Sequence, residues 1–304
     1  MGNVFFFGWE IDFILWLQTF VNGFTTLFAK FLQICGEEYV LIFVLGLLYW
    51  SIDKKLGRRA SLAMVGSMLF GTLIKGVVLR RRPYMDNEQI KCITPPHKEA
   101  DVMSVKEQGY SFPSLHTTMA AATYGTIAID TKKKATIAVG LIMPLLIGLS
   151  RPFLGVHYPT DVLAGWALGV ICILALGGIE NKYGYKVAFL VPLIISISGF
   201  FYCADTEFFS GYGVALGLFL GFMFEEKYVK FEYCKKWWTY ILRPIGGVVV
   251  FFLLTFLLKI PMQIIALEET STAALIYRLF RYTLSTFVTI GIYPFVFKLC
   301  KNKF

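Results

Sequence analysis

The sequence has little charge and few histidines for its length. Of its 304 residues, 16% are Asp, Glu, Lys or Arg, and three are His. The six cysteines form no CxxC pair and show no metal-ligand spacing, so nothing indicates a disulfide-stapled or metal-binding domain. The shortage of charge excludes an intrinsically disordered chain, because disordered segments are polar and strongly charged. No repeat of fixed period is present, which excludes a collagen-like chain.

Apolar residues are abundant instead and occur in long runs. They make up 57% of the chain, and the mean hydropathy is +0.64, which is typical of a polytopic membrane protein. The lengths of the runs argue against the alternative, a soluble helical bundle. We expect nine membrane helices, some shorter than the ~20 residues that a bilayer needs. The runs cover residues 39–52, 60–79, 113–129, 135–153, 161–178, 187–203, 211–225, 240–258 and 273–297.

The stretch before these runs, residues 9–34, has a different pattern. Its apolar residues recur at helical spacing, but Glu10, Asp12 and Lys30 lie among them. This pattern predicts helices that lie in the membrane interface rather than a membrane span.

The basic residues indicate the topology of the chain in the membrane. They number 29 against 20 acidic residues, for a formal charge of +9, and they cluster in every second loop. These loops should face the cytoplasm, and the intervening ones the outside or a lumen. The charge therefore gives no reason to expect a nucleic-acid partner. The basic clusters lie at residues 53–59, 132–134, 182–186, 227–236 and 298–303, and the intervening loops at 37–38, 80–112, 150–160, 205–207 and 268–269.

Three cations lie where this topology does not predict them. Lys75 is inside the second run, and Arg82 and Arg151 lie at the outer ends of the second and fourth runs. Lys75 and Arg82 are two helical turns apart, so they project from one face if the helix continues. Such costly positions tend to be functional, and cations on one face would bind an anion. The alternative is that Lys75 snorkels and the arginines contact lipid headgroups.

Two of the three histidines lie on the same outer side. His116 follows Ser114 at the start of the third run, and His157 precedes the fifth. Asp161 lies four residues after His157, so its carboxylate can reach the imidazole and fix its tautomer. Either histidine alone would be interpreted as an interfacial or packed residue. Two imidazoles, a carboxylate, a serine and three cations on one side of a membrane describe a phosphate-handling site.

Three short motifs contain these residues. Residues 75–83 (KGVVLRRRP) fit Lys-x6-Arg-Pro, residues 113–116 (PSLH) fit Pro-Ser-x-His, and residues 150–161 (SRPFLGVHYPTD) fit Ser-Arg-x5-His-x3-Asp. Together and in this order they resemble the type 2 phosphatidic acid phosphatase (PAP2) superfamily. Leu115 replaces the glycine usual in the second motif, which resembles the sphingosine-phosphate phosphatase branch. A second Lys-x6-Arg-Pro match, at residues 236–244, is interpreted as chance because no histidine motif follows it.

The resemblance covers residues 60–178 and implies an all-α fold, a polytopic membrane helix bundle with a six-helix-type PAP2 core. Extra C-terminal transmembrane helices follow the core, and the interfacial helices precede it. We expect interfacial helices in residues 1–38, the catalytic transmembrane core in 39–203 and the additional helices in 204–304.

The resemblance also implies a role for each motif residue. His157 would attack phosphorus to form a phosphohistidine, and Asp161 would orient His157. His116 would protonate the leaving alkoxide and then help to activate water. No metal or other cofactor is expected, because cations and histidines supply the charge stabilisation that phosphoryl transfer needs. The residues expected to hold the phosphoryl oxygens are Lys75, Arg82, Ser114 and Arg151.

The implied function is a metal-independent integral-membrane phosphatase acting on a lipid phosphate. The candidate substrates are a sphingoid-base phosphate, phosphatidate and a polyprenyl pyrophosphate. We expect a multi-pass protein of the plasma (inner) membrane whose active site faces the extracytoplasmic or lumenal side. A lipid-phosphate phosphotransferase and a non-catalytic transporter or binding protein stay open as alternatives. Arg278 and Arg281 would either extend the anion site or snorkel. The sequence leaves open the oligomeric state and whether Cys35, Cys92 or Cys203 pair.

Overall fold

The computed structural model describes residues 2–96, 100–203, 205–234, 236–265, 268 and 271–299. Within these ranges the regular structure is helical, and an isolated bridge pairs Asn3 with Arg80. The predicted all-α fold is therefore confirmed. Glu269 of the predicted outer loop and Lys301 and Lys303 of the predicted basic tail lie outside the described residues.

The helices follow the apolar pattern of the sequence. Each of the nine predicted runs falls on a helix, and the last run covers two. π-helical or 3-10 turns extend α3, α10, α11 and α14 to Ile52, Phe201, Val229 and Ile292. The helices are α1 (Gly8–Gln18), α2 (Gly23–Gly36), α3 (Glu38–Leu47), α4 (Lys54–Val78), α5 (Pro83–Asp86), α6 (Val105–Gln108), α7 (Leu115–Thr131), α8 (Lys134–Phe153), α9 (Pro159–Tyr183), α10 (Tyr185–Ile195), α11 (Thr206–Phe224), α12 (Thr239–Leu257), α13 (Ile260–Ile264), α14 (Thr272–Phe287) and α15 (Phe295–Leu299).

Within the described ranges, five stretches of helix are long and apolar enough to cross a membrane: α4, α8, α9, α11 with its π turn, and α12 with α13. This supports the predicted multi-pass membrane protein. Helices α1 and α2 pass the same test only as a pair, and they are bent by 119°, as in a broken span or a re-entrant loop. That they lie in the interface stays a prediction.

The described residues form two compact units. The first unit comprises the chain up to Glu37 together with Phe70–Ile173, and the second comprises Glu38–Leu69 and the chain from Leu174 onward. All the predicted site residues belong to the first unit. The division into three consecutive segments at residues 38 and 203 stays a prediction.

In the first unit, glycines bring α9 against the beginning of α7. A Cβ atom on Gly165 would lie 2.9 Å from the carbonyl oxygen of Ser114, and one on Gly169 would lie 2.9 Å from that of Thr118. Small residues four apart allow membrane helices to approach this closely. The contact places the start of α7, with the second motif, beside the start of α9, where the third motif ends.

A buried apolar cluster fixes the loop between α8 and α9. Because His157 lies between two members of this cluster, packing determines where its side chain leaves the backbone. The cluster joins the loop to α1, α2 and the segment around α5, and its members are Ile11, Ile14, Ala29, Tyr84, Met85, Ile90, Leu154, Val156 and Tyr158.

The second unit contains another glycine-lined helix pair. Cβ atoms on Gly213 and Gly217 of α11 would lie 2.6 Å from carbonyl oxygens of α14. Arg243, from the second Lys-x6-Arg-Pro match, is buried in this unit and donates to the carbonyl of Trp50 at 2.9 Å. This arginine therefore has a packing role within the second unit.

The glycine contact of α9 leads to a stability prediction. Gly169→Leu should destabilise the protein by about 1–3 kcal/mol, the usual cost of overpacking, because the new side chain meets the α7 backbone. The matched control is Gly178→Leu on the same helix, since a Cβ there meets nothing within 4 Å. Thermal unfolding in detergent measures both variants, and equal unfolding midpoints would contradict this account of the packing.

Candidate active site

The first motif ends α4 and directs three consecutive arginines to different partners. Leu79 has a φ of +55°, in the left-handed region, and the helix ends just before it. Arg81 turns outward and pairs with Asp86 at 3.1 Å. Arg80 and Arg82 turn inward and are 1% and 2% exposed. The two inward arginines have separate roles in the site.

Arg80 lies between two buried carboxylates. Its Nη1 donates to Asp161 Oδ1 at 2.7 Å, and its Nη2 donates to Glu10 Oε2 at 2.8 Å. The hydroxyl of Thr160 donates to the other oxygen of Glu10 at 2.6 Å, and the guanidinium stacks on Tyr158 at 3.9 Å. A buried charge is tolerated when it is paired and hydrogen-bonded, as the charges of Arg80, Asp161 and Glu10 are here.

His157 lies between Asp161 and Arg82. Its Nδ1 is 3.4 Å from Asp161 Oδ2, and its Nε2 is 3.4 Å from Arg82 Nη1. The backbone N–H of Tyr158 donates to the same carboxylate oxygen at 2.8 Å and holds it in place. We assign the ring proton to Nδ1, which faces Asp161. The lone pair of Nε2 is then available for attack.

The surroundings of His157 favour its neutral form. Burial lowers the pKa of this imidazole well below its ordinary value of 6.5, and the charges of Arg82, Arg151 and Lys75, together with His116, lower it further. Burial and nearby cations both disfavour a protonated imidazole. A nucleophilic histidine must be neutral, so the environment suits that role.

Two of the buried cations, Arg82 and Arg151, differ in the partners of their N–H groups. Arg82 donates to the carbonyl oxygens of Gln108 at 2.9 Å, Gly109 at 3.1 Å and Val156 at 3.0 Å. Arg151 is 1% exposed, but its Nε and Nη1 have no hydrogen-bond partner among the described residues. Buried donors without a partner are rare, and Arg151 therefore has N–H groups available for an anion.

Arg82 also organises the long segment between the second and third predicted runs. Its contacts to Gln108 and Gly109 tie the described part of this segment to the site, and the hydroxyl of Ser111 donates to the carbonyl of Arg81 at 3.0 Å. The segment thus contributes backbone to the site.

The second motif contacts the third through the backbone. Ser114 precedes α7, and its N–H donates to the carbonyl of Asp161 at 3.1 Å. Leu115, in place of glycine, is buried, and a Cβ atom on Gly71 would lie 2.5 Å from its Cδ2. The leucine therefore fits because position 71 has no side chain.

His116 has an acidic partner that the motifs do not contain. Its Nε2 is 3.2 Å from Glu37 Oε1, and Gln33 Nε2 donates to the same oxygen at 3.2 Å. Burial alone would raise the pKa of Glu37, but the hydrogen bond and charge of His116, with Gln33 and Arg151, lower it to about 2. Glu37 is thus ionised at physiological pH.

Sequence reasoning did not identify Arg80, Glu10 or Glu37 as parts of the site. Lys75 was selected because ionisable residues inside apolar stretches tend to be functional. The same principle applies to Glu10, a carboxylate in an apolar stretch, and would have identified it. Glu37 follows α2 and had no signal of its own.

The structure also describes two arginines and three cysteines whose roles the sequence left open. Arg278 and Arg281 belong to the second unit; Arg278 donates to Ser210 Oγ at 2.7 Å, and Arg281 is 3% exposed, so it does not snorkel. Cys35, Cys92 and Cys203 are free thiols. Among the described residues, no group of three or more His, Cys, Asp or Glu side chains is placed to hold a metal ion.

Two family models match this chain. One, described as PAP2 superfamily, matches residues 57–183, and the other, described as PAP2 superfamily phosphatase, transmembrane extension, matches residues 209–303. The first range agrees with the predicted core at residues 60–178 and contains all three motifs.

Curated proteins with similar sequences include three phosphatases. Undecaprenyl-diphosphatase of Sulfolobus acidocaldarius is 30% identical over 49% of this chain and 66% of its own length. Decaprenylphosphoryl-5-phosphoribose phosphatase of Mycobacterium tuberculosis is 31% identical over 51% of this chain and 78% of its own length. Human sphingosine-1-phosphate phosphatase 2 is 29% identical over 50% of this chain and 37% of its own length. The chain thus spans less than two thirds of the first and third of these relatives.

The Arg80 contacts predict a strong effect on stability. Arg80→Met should lower the free energy of unfolding by about 3–5 kcal/mol, because two carboxylates lose their buried partner. Adding Glu10→Gln should recover part of the loss, since one stranded charge becomes neutral. The control is Arg81→Met, whose side chain is 30% exposed. Thermal unfolding midpoints compare these variants, and similar midpoints for Arg80→Met and Arg81→Met would refute the proposed role.

The environment of His157 predicts its titration. In protein labelled with 15N-histidine, the ring nitrogens of His157 should report a neutral imidazole down to a pH well below 6.5. Arg151→Gln removes a nearby positive charge, which favours the protonated imidazole, so the titration midpoint should move to higher pH. His157→Ala assigns the signal, and a midpoint at or above 6.5 in the unmodified protein would contradict the expectation.

Proposed function

Because the chain belongs to the PAP2 superfamily, we propose that it is a membrane lipid phosphatase that uses a phosphohistidine intermediate. It hydrolyses the phosphomonoester or the pyrophosphate of a lipid. One observation carries the proposal: the buried imidazole of His157 has Asp161 at one ring nitrogen and Arg82 at the other. This is the geometry of a nucleophile with an orienting carboxylate and a cation beside the attacking atom.

In the first step, Nε2 of His157 attacks phosphorus and the bond from phosphorus to the lipid oxygen breaks. His116 gives its proton to that oxygen, so the lipid leaves as an alcohol, or as a monophosphate when the substrate is a pyrophosphate. Asp161 stabilises the positive charge that develops on the His157 ring. Phosphoryl transfer depends mainly on positioning and charge stabilisation, which these groups provide.

In the second step, water attacks the phosphohistidine. His116, now neutral, takes a proton from the water, and the bond between phosphorus and Nε2 breaks to release inorganic phosphate. The phosphoryl oxygens are held by Lys75, Arg82, Ser114 and Arg151. The available N–H groups of Arg151 support its place in this set, because guanidinium groups bind phosphate oxygens through parallel hydrogen bonds. The cations make a metal ion unnecessary in this mechanism.

The proposed substrate is an amphiphile whose phosphate lies at headgroup depth. The three similar phosphatases are named for a polyprenyl diphosphate, a phosphorylated polyprenyl sugar and a sphingoid-base phosphate, which supports a lipid phosphate here. The basic loops support a site on the extracytoplasmic or lumenal side of the membrane, and the proposed location is the plasma (inner) membrane.

Phosphate release from a panel of lipid phosphates tests this function. Purified protein with EDTA should release phosphate from at least one of sphingosine 1-phosphate, phosphatidate and a polyprenyl diphosphate. His157→Ala should lower the rate by roughly 10³-fold or more, because the nucleophile is lost. Substrate labelled with 32P should leave an acid-labile, base-stable label on the unmodified protein alone.

Each of the following results would contradict part of the proposal. Unchanged release by His157→Ala would exclude the phosphohistidine mechanism, and activity lost in EDTA but restored by magnesium would exclude metal independence. Label transfer to an alcohol acceptor without phosphate release would identify a phosphotransferase. Binding of the lipids without release or transfer would identify a binding protein.

A further inference from the structure

The chain before the matched family region, which begins at residue 57, contributes a carboxylate to the proposed active site. We propose that Glu37 is a positioning residue that keeps His116 protonated and in the tautomer needed for acid and then base catalysis. The inference rests on the proposed phosphatase function and concerns how the leaving lipid oxygen receives its proton.

The backbone brings Glu37 to His116. Helix α2 ends at Gly36, where a Cβ atom would lie 2.9 Å from Ile147 Cγ2 and 3.7 Å from the Cβ of His116. Glycine therefore lets the end of α2 lie directly against α7 and α8. The hydroxyl of Tyr124 adds a second link, because it donates to the carbonyl of Cys35 at 3.2 Å.

The contact atoms determine which nitrogen of His116 remains for catalysis. Glu37 Oε1 is 3.2 Å from Nε2, within ion-pair distance, so we assign one ring proton to Nε2 beside the carboxylate, which leaves Nδ1 for the substrate. Once Nδ1 has given its proton to the lipid oxygen, Glu37 still holds the Nε2–H tautomer. The freed Nδ1 lone pair then accepts the proton of the attacking water.

Charge explains why His116 needs this partner. Lys75, Arg82 and Arg151 favour the neutral form of His157, and a general acid in the same positive surroundings would also lose its proton. Glu37, from the end of α2, lies beside His116; His157 interacts electrostatically with His116, and Arg151 does so with Glu37. Glu37 is the anion among these three groups.

Two imidazoles close to the same cations thus acquire opposite protonation states. His157 has its carboxylate, Asp161, paired with Arg80, and stays neutral as the nucleophile. His116 has a carboxylate that Gln33, a neutral side chain, holds in place, and it stays protonated as the acid. Environments that separate two titratable groups in this way define an acid and a nucleophile.

The test compares substrates that differ in their need for a proton. An alkyl phosphate has a poor leaving group that must be protonated, whereas p-nitrophenyl phosphate has a good one. Glu37→Gln should lower kcat/KM for the alkyl phosphate by about tenfold or more, and for the aryl phosphate by less than about threefold. The alkaline limb of the alkyl profile should move to lower pH, because the protonated imidazole loses its anion.

Two further variants serve as controls. Glu38→Gln removes the neighbouring exposed carboxylate and should change neither substrate's kinetics. Glu37→Asp keeps the charge and should restore part of the alkyl activity. An equal loss on both substrates, or no loss on either, overturns the positioning role. The proposed function is judged separately, by lipid phosphate release and its loss in His157→Ala.

Discussion

The guanidinium of Arg80 binds two buried carboxylates at once, and other parts of the site depend on these contacts. Glu10 comes from α1, Arg80 from the end of α4 and Asp161 from the start of α9. Each charge alone would be too costly to bury, so the segments can be buried only together. Asp161 is thereby fixed where it can orient His157.

The proposed placement of protons in the site depends on which partner each acidic side chain has. The cations near His157 favour its neutral form, and in the proposed mechanism they would do the same to a second imidazole. Asp161 pairs with the cation Arg80, whereas Glu37 accepts a hydrogen bond from the neutral amide of Gln33. The two carboxylates are chemically alike, so under the proposal their different partners account for the different protonation of the two histidines.

The sequence singles out the candidate catalytic residues, but not the residues that contact them. Lys75, His157 and Asp161 stand out because charges and imidazoles are rare in so apolar a chain, and the structure places all three in the first unit. Glu10 and Glu37 could not be assigned, because their partners are 70 and 79 residues away and ordinary spacing rules act over a helical turn. Helix positions followed from apolar runs, but the bend between α1 and α2 did not.

Leu115 of the second motif also restricts which residues fit at position 71. Leu115 fills the space that a side chain at position 71 would occupy, so the two positions cannot both be large. Their substitutions are therefore epistatic: glycine at 115 would make room for a small side chain at 71, which this chain does not have. Grafting the Pro-Ser-Leu-His sequence onto a relative with a bulky residue on the facing helix would transfer the motif without the space that accommodates it.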